Sequence, residues 1–264
     1  MPTSITQPQL DIKIADHELW LSSGGTSGAQ LVLIDFDLTG LNLKNHNLEN
    51  SIYDTSILDD ADYSLSIITL ASFDAVTAIA TDFKNTSGSK AIFSSADLTD
   101  AIFDNSKLVG ANFSNAVLIN SSMIEVDALD ANFSDADLSS MSAPRANFTG
   151  GSFLRASFAD AYFADALFPG ANLTGVNFFG ANVKGVNFNP NRFDGAIGIY
   201  SFGPIGDESR IGYAVKNPTG PTIIYLGCFS GDEPSTIFAI NDKYGPGTDY
   251  QAQVELAADI VEST

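Results

Sequence analysis

The residues suited to chemistry are few: two histidines, His17 and His46, one cysteine, Cys228, and adjacent carboxylates such as Asp59 and Asp60. A Cys/His zinc site needs three or four ligands at short spacing, and two histidines with one distant thiol do not make one. Cys228 stands in the apolar run Ile223–Phe229, the setting of a buried inert thiol and not of a nucleophile beside a base. There is no HExxH, P-loop, GxSxG, or GxGxxG following a strand. Paired carboxylates can do acid–base work or hold a cation, but with no histidine beside them they read as a solvated face. The chain therefore reads as non-enzymatic, with no cofactor and no metal.

Charge excludes further classes. Thirty-two Asp and Glu stand against 12 Lys and Arg, a net charge of −20 and a pI near 4.1, so neither nucleic acid nor an anionic membrane finds a broad basic face. No stretch approaches the ~20 apolar residues of a membrane span. The N-terminus lacks the basic start and apolar core of a signal peptide, and a single cysteine forms no internal disulfide, which together favour the cytoplasm.

The elements that position every side chain follow from one period. Every fifth residue from Leu33 to Phe193 is Leu, Phe, Tyr, Ile, Met or Val, except Ala78, Gly88, Ala128 and Ala143. Two residues before each lies a column mostly of Ala, Ser, Thr, Val or Gly, and neither column holds a charged residue. A helix turns ~100° per residue, so a five-residue period smears around it. A straight strand alternates faces, so an odd step inverts it each time. The chain must bend once per five residues, always in one sense, with the small and the large residue both pointing inward. That is a solenoid with very short strands on flat sides.

Ala96-Asp-Leu98-Thr-Asp100, Ala111-Asn-Phe113-Ser-Asn115, Ala136-Asp-Leu138-Ser-Ser140 and Ala171-Asn-Leu173-Thr-Gly175 carry the resemblance. The stretch 31–195 resembles the pentapeptide-repeat family. The resemblance implies an all-β fold, a right-handed quadrilateral β-helix of about eight 20-residue coils, roughly 40 Å long at ~4.8 Å per coil and close to B-DNA in thickness. His46 falls in an inward column and reads as a satisfied polar residue at the solenoid's end. Gly88 leaves the core column empty and predicts a loosened coil or small bulge. The run Phe148, Phe153, Phe158, Phe163 and Phe168 predicts a fuller core in the later coils.

Residues 1–30 read as an N-terminal cap, since a bare solenoid end exposes strand edges. Ala15–Leu21 reads as a short helical turn with Leu19, Trp20 and Leu21 plugging the core, and Gly24, Gly25 and Gly28 lead into the first coil. The His17-x-x-Trp20-Leu21 entry is similar to the segment preceding many bacterial and phage pentapeptide arrays. Residues 196–264 read as a small α+β module. They offer a strand through Ile211, Tyr213 and Val215, a turn at Asn217–Gly220, and a second strand from Pro221 to Phe229. A helix then follows from Asp232, and another from Asp249 with a stripe of Tyr250, Val254, Ala257 and Val261. The segment Gly227-Cys-Phe229-Ser-Gly231 is similar to a small phage and bacterial domain of unknown function.

Four repeats per coil sort the outward residues onto four sides. The side beginning at Phe36 collects Asp37, Asp59, Asp60, Asp97, Asp100, Asp137 and Asp160 without a Lys or Arg, and is the candidate partner-binding surface. The family's habit of placing Asp or Asn before the central residue competes with a functional origin. Outward apolar residues, among them Ile67, Leu70, Ile79, Tyr162 and Leu167, also point to a covered surface. Two functions stay open. One is a protein-binding or structural rod of phage or mobile-element type, a virion or scaffold component or a binder of a host protein; its location is then the cytoplasm or the virion. The alternative, implied by the family, is an acidic DNA mimic that binds a type II topoisomerase such as gyrase and blocks or protects it. A homodimer or larger assembly through the C-terminal module is expected, with Ile223, Tyr225, Tyr250, Val254 and Val261 at the interface.

Overall fold

A bend at every fifth residue demands a backbone that turns without strain, and one column of the sequence supplies it. The computed structural model describes residues 2–188, 196–205, 210–216, 221–226, 229–232, 235–236 and 249–263. From Asp35 to Gly185 every fifth residue has a φ between +53° and +71°. Twenty of these 31 residues are Asp, Asn or Gly, the types that enter the left-handed region at least cost. Leu65, Leu70, Arg145 and Arg155 take the same φ because the closed coil imposes it.

Between corners the strand is a single bridging residue, paired in parallel with the residue 20 positions on, from Val32↔Ile52 to Asn177↔Ile197. The Ile52 N–H donates to the Leu31 carbonyl at 3.0 Å, and the Ile52 carbonyl accepts from the Leu33 N–H at 2.8 Å. This exchange repeats along the rod, so sides and coils follow the sequence period without a slip.

The interior is two facing stacks of rings. Tyr53, Phe73, Phe93, Phe113, Phe133 and Phe153 lie one above another with centroids 4.8–4.9 Å apart. Tyr63, Phe83 and Phe103 form the second stack and meet the first edge to face at about 5.5 Å, the favoured aromatic geometry. Where phenylalanine fills consecutive sides, from Phe148 to Phe168, the order loosens: Phe148 and Phe168, one coil apart, tilt by 31°, and Phe158 and Phe163 on adjacent sides sit 4.6 Å apart at 56°. Burial without a hydrogen-bonding partner of normal geometry pushes the Tyr53 and Tyr63 hydroxyls well above the usual phenol range.

The four undersized central positions do not loosen the coil. Gly88 keeps its ladder bond to the Lys107 carbonyl at 2.8 Å, and a Cβ there would lie 3.0 Å from Ile68 and from Leu108. The neighbouring coils fill the gap, so the expected bulge is absent. Ala78, Gly88, Ala128 and Ala143 each follow, two residues back, a Val76, Thr86, Val126 or Met141 where Ala or Ser is the rule. All four of these larger residues are buried. Volume is exchanged within the repeat, as close packing demands.

At the base, α1 (Gln7–Ser22) starts earlier and runs longer than the turn expected at Ala15–Leu21. It buries Leu10, Ile14 and His17, while Leu19 is 49% exposed and Trp20 and Leu21 are only half-buried. The face set by a 16-residue helix, not the apolar cluster near its end, decides which side chains plug the core. The first coil's free backbone groups meet substitutes for a coil that is not there. Strand β1 (Thr3–Ser4) pairs in parallel with β2 (Phe36–Asp37). The Gln7 amide accepts from the Asn42 N–H and donates to the Asn42 carbonyl, both at 2.8 Å. Glu18 accepts from the Asn47 N–H at 3.3 Å and lies 3.0 Å from His46 Nδ1, which makes His46 the satisfied polar residue expected.

Gly28, at φ +76°, lets the chain pass against α1. A Cβ there would collide with the Asp16 carbonyl and lie 2.7 Å from Trp20 N, both backbone atoms. Gly28→Ala is therefore expected to cost about 2 kcal/mol, more than the ~1 kcal/mol of a tolerated Gly exchange, and to free α1. The emission of Trp20 should shift to the red while far-ultraviolet dichroism of the coils is kept. An unchanged emission maximum would contradict this packing.

Beyond the coils, β3 (Ile199–Ile205), β4 (Arg210–Val215), β5 (Ile223–Leu226) and β6 (Phe229–Asp232) form an antiparallel sheet in that order. Strand β3 was not anticipated, because Gly203 and Pro204 break its pattern. The run expected as one strand from Pro221 to Phe229 is two paired strands, and Asp232 ends β6, with helical backbone following at Ser235 and Thr236. Helix α2 (Asp249–Ser263) packs on β3 and β4. The sheet sits on the last coil: Gly180 N–H donates to the Lys216 carbonyl at 2.7 Å, and Phe188 meets Tyr213 at 5.0 Å. Cys228, the Asn217–Gly220 turn and most of the helix expected after Asp232 lie outside the described residues.

Most of the side chains expected at an oligomer interface pack within the chain itself. Val254 and Val261 are buried against Ala214 and Ile224 within the same chain. Tyr225, 5% exposed, joins the rod's core and donates to the Ala181 carbonyl at 3.3 Å, and half-buried Ile223 packs beside it. The stripe covers the module's own sheet, so these side chains offer little surface to a partner. The side chain of Tyr250 lies outside the described residues.

Candidate functional site

The ladder pairings assemble the acidic side as a physical surface. Asp37, Ile57, Thr77, Asp97, Val117, Asp137, Ser157 and Asn177 form one parallel ladder, with Asp59 beside it and Asp60, Asp100 and Asp160 at its corners. All seven carboxylates of the sequence expectation therefore lie on one side, spread over its length.

Each also has a local role that the sequence reading did not resolve. Asp37 Oδ1 accepts from the Thr39 N–H at 3.1 Å and the Thr39 hydroxyl at 2.7 Å. These two bonds, the hydroxyl's first, hold the Asp37 carboxyl below the usual carboxylate range. Asp97 does the same with Thr99, and Asp137 accepts from the Ser139 N–H at 3.0 Å. Asp59 accepts from the Ile79 N–H at 2.9 Å, one coil on. Asp60, Asp100 and Asp160 occupy corners with φ of +57° to +59°, where a short polar side chain is favoured. The spacing signal was in the sequence: Asp or Asn two residues before Ser or Thr marks such a side-chain turn.

None of these roles needs a charge. Asn112, Asn132, Asn147 and Asn172 accept the same bond from the residue two positions on. On other sides three acids have cationic partners: Arg145 bonds Glu125 and Arg155 bonds Asp135, each at 2.6 Å, and Lys84 lies 3.9 Å from Asp82. The Arg155 hydrogen bond pulls the exposed Asp135 carboxyl down. The ladder starting at Asp37 has no Lys or Arg among its described residues.

Other surface features lie on a different side or at the first residue of this one. Leu65, Ile67 and Leu70 are 51%, 41% and 47% exposed across one side and its two corners. An open hollow of about 420 Å³ beside β1 is lined by Ile5, Ile12, Phe36 and Lys13, among others, and holds no acid–base pair. Among the described residues, no group of three His, Cys, Asp or Glu is placed to hold a metal ion, and no helix is long and apolar enough to cross a membrane.

A family profile described as pentapeptide repeats matches eight copies over residues 66–105, 103–128 and 156–189. Residues 66–189 belong to the pentapeptide-repeat family. Among solved structures, a trypsin-treated variant of QnrB1, a plasmid-mediated fluoroquinolone resistance protein, is similar with a TM-score of 0.59 at 17% identity, covering 64% of this chain and 83% of its own. HetL, a pentapeptide-repeat protein involved in heterocyst differentiation regulation from the cyanobacterium Nostoc sp. Strain PCC 7120, matches at 20% identity and a TM-score of 0.43 over 68% of this chain and 90% of its own. No curated protein matches the chain in sequence. The QnrB1 likeness supports the right-handed quadrilateral β-helix for the repeats. The resemblance of the C-terminal segment to a phage or bacterial domain gains no support from these matches.

Proposed function

We propose that this pentapeptide-repeat protein is a non-enzymatic binding rod, and that it docks a basic surface of a partner protein along the side running from Asp37 to Asp160. One observation carries the reading. The side-chain turns of Asp37, Asp97 and Asp137 need an oxygen acceptor, asparagine fills that role elsewhere, and yet this side keeps seven acids, none of them in an ion pair among the described residues. Unneutralised carboxylates in one row repel one another, and a cationic partner relieves that repulsion.

A second reading names the partner's class. QnrB1 is a fluoroquinolone resistance protein, and type II topoisomerases carry a basic groove for DNA, so an acidic rod is a candidate mimic of that DNA. Affinity capture with the intact chain tests both readings. Partner retention should fall steeply between about 0.1 and 0.5 M salt, where the screening length drops below ~5 Å, and duplex DNA should compete if the mimic reading holds. Salt-tolerant retention would instead place the docking surface at the apolar side of Leu65, Ile67 and Leu70.

A further inference from the structure

Both histidines of the chain sit where α1 meets the first coil. His17, fully buried, accepts the Leu31 N–H on Nδ1 at 3.0 Å, at the point where the chain enters the rod. Its ring stacks on Trp20 at 5.7 Å. Accepting on Nδ1 requires the neutral ring. A proton placed there would set two donors against each other in a fully buried site.

We propose that His17 is the pH-sensitive pin of a latch, and that acid releases α1 and β1 from the base of the rod and uncovers the first coil's backbone edge. The edge is held by few bonds: a two-residue strand, the Gln7 amide and the Glu18 carboxylate. Its ladder groups on Phe36–Asp37, Asn42 and Asn47 are those that pair with a further coil elsewhere in the rod.

The charged and titratable groups facing the contact are Glu18 on α1 and Glu49 and His46 on the first coil; the entry segment 24–30 carries none. Burial lowers the His17 proton affinity below the ordinary value of 6.5, while the Glu49 carbonyl and the Glu18 charge raise it and are outweighed. The released state therefore binds the proton more tightly than the docked state. Docking is at full strength above about pH 6.5 and weakens up to tenfold for each unit below it, until the docked ring itself takes a proton.

Trp20 is the only tryptophan and lies on the His17 ring, so its emission reports the latch in the intact chain. Titration from pH 8 to 4 should give a red shift with a midpoint below 6.5, together with faster amide exchange at Asn42 and Asn47 and unchanged exchange at Phe113. His17→Asn keeps an acceptor oxygen near the Nδ1 position and takes no proton, so it should abolish the transition. An unaltered transition in His17→Asn would overturn the proposal, as would a wild-type titration with no change above pH 4. If His17→Asn is already red-shifted at pH 8, Gln7→Ala decides. Weakening the docked state should move the wild-type midpoint to higher pH, and an unmoved midpoint would overturn the latch.

Discussion

Phe113→Ala should destabilise the rod by about 3–5 kcal/mol, the cost of emptying a fully buried aromatic position. Phe113 is stacked 4.9 Å from Phe93 and from Phe133 and meets Phe103 edge to face at 5.7 Å, so three rings lose a neighbour at once. A coil touches only the coils above and below, and damage in such an array spreads from the lesion outward. Amide exchange should therefore rise first across the coils holding Phe93 and Phe133 and last near α1. Ser134→Ala, on the outward side of the same repeats, removes hydroxyl contacts to Asn132 and Ser152 and should cost only about 0.5 kcal/mol. Equal losses from the two changes would mean that the inward and outward columns are misassigned.

The rod was legible in the sequence because its period survives any choice of secondary-structure propensity. A step of five fits neither helix nor strand, and it carries the inward pair, the bridging residue and the corner in one register. The turn column was equally readable, since Asp, Asn and Gly recur at the corner, but the inward columns alone drew notice. The exchange of size between Met141 and Ala143, or Val126 and Ala128, is written in the sequence as well. It was read as a gap at Gly88 because the two columns were weighed separately. The N-terminal segment was harder. Which face of α1 turns inward depends on Leu10 and Ile14, and the bonds from Gln7, His17 and Glu18 to coil backbone join residues up to 35 positions apart.

The C-terminal module was legible only in part, for a reason of the same kind. The stripe Val254, Ala257 and Val261 was visible, but what covers it was not. Tertiary pairing with the antiparallel sheet, including the unanticipated β3, consumes the surface from which an oligomer interface was inferred. The acidic side shows both limits together. Its grouping follows from the period, whereas the local role of each carboxylate appears only once Thr39, Thr99 and Ser139 are seen to donate to it.

The largest functional effect is expected from charge alone. Asp97, Asp100 and Asp137 replaced together by Asn keep the acceptor oxygen of two side-chain turns and a corner residue at home at φ +59°, while three negative charges leave one side. Surface charges contribute fractions of a kcal/mol each, so stability should change by no more than about 1 kcal/mol. The affinity of the captured partner for this variant, against one with Asp62, Asp82 and Asp104 changed to Asn on a neighbouring side, tests the docking side most directly. At low salt the first triple change should weaken binding by about tenfold or more, ~1.4 kcal/mol, with the second much closer to wild type and the difference shrinking as salt rises. Equal affinity for both variants would contradict the assignment and leave the acids as turn formers alone.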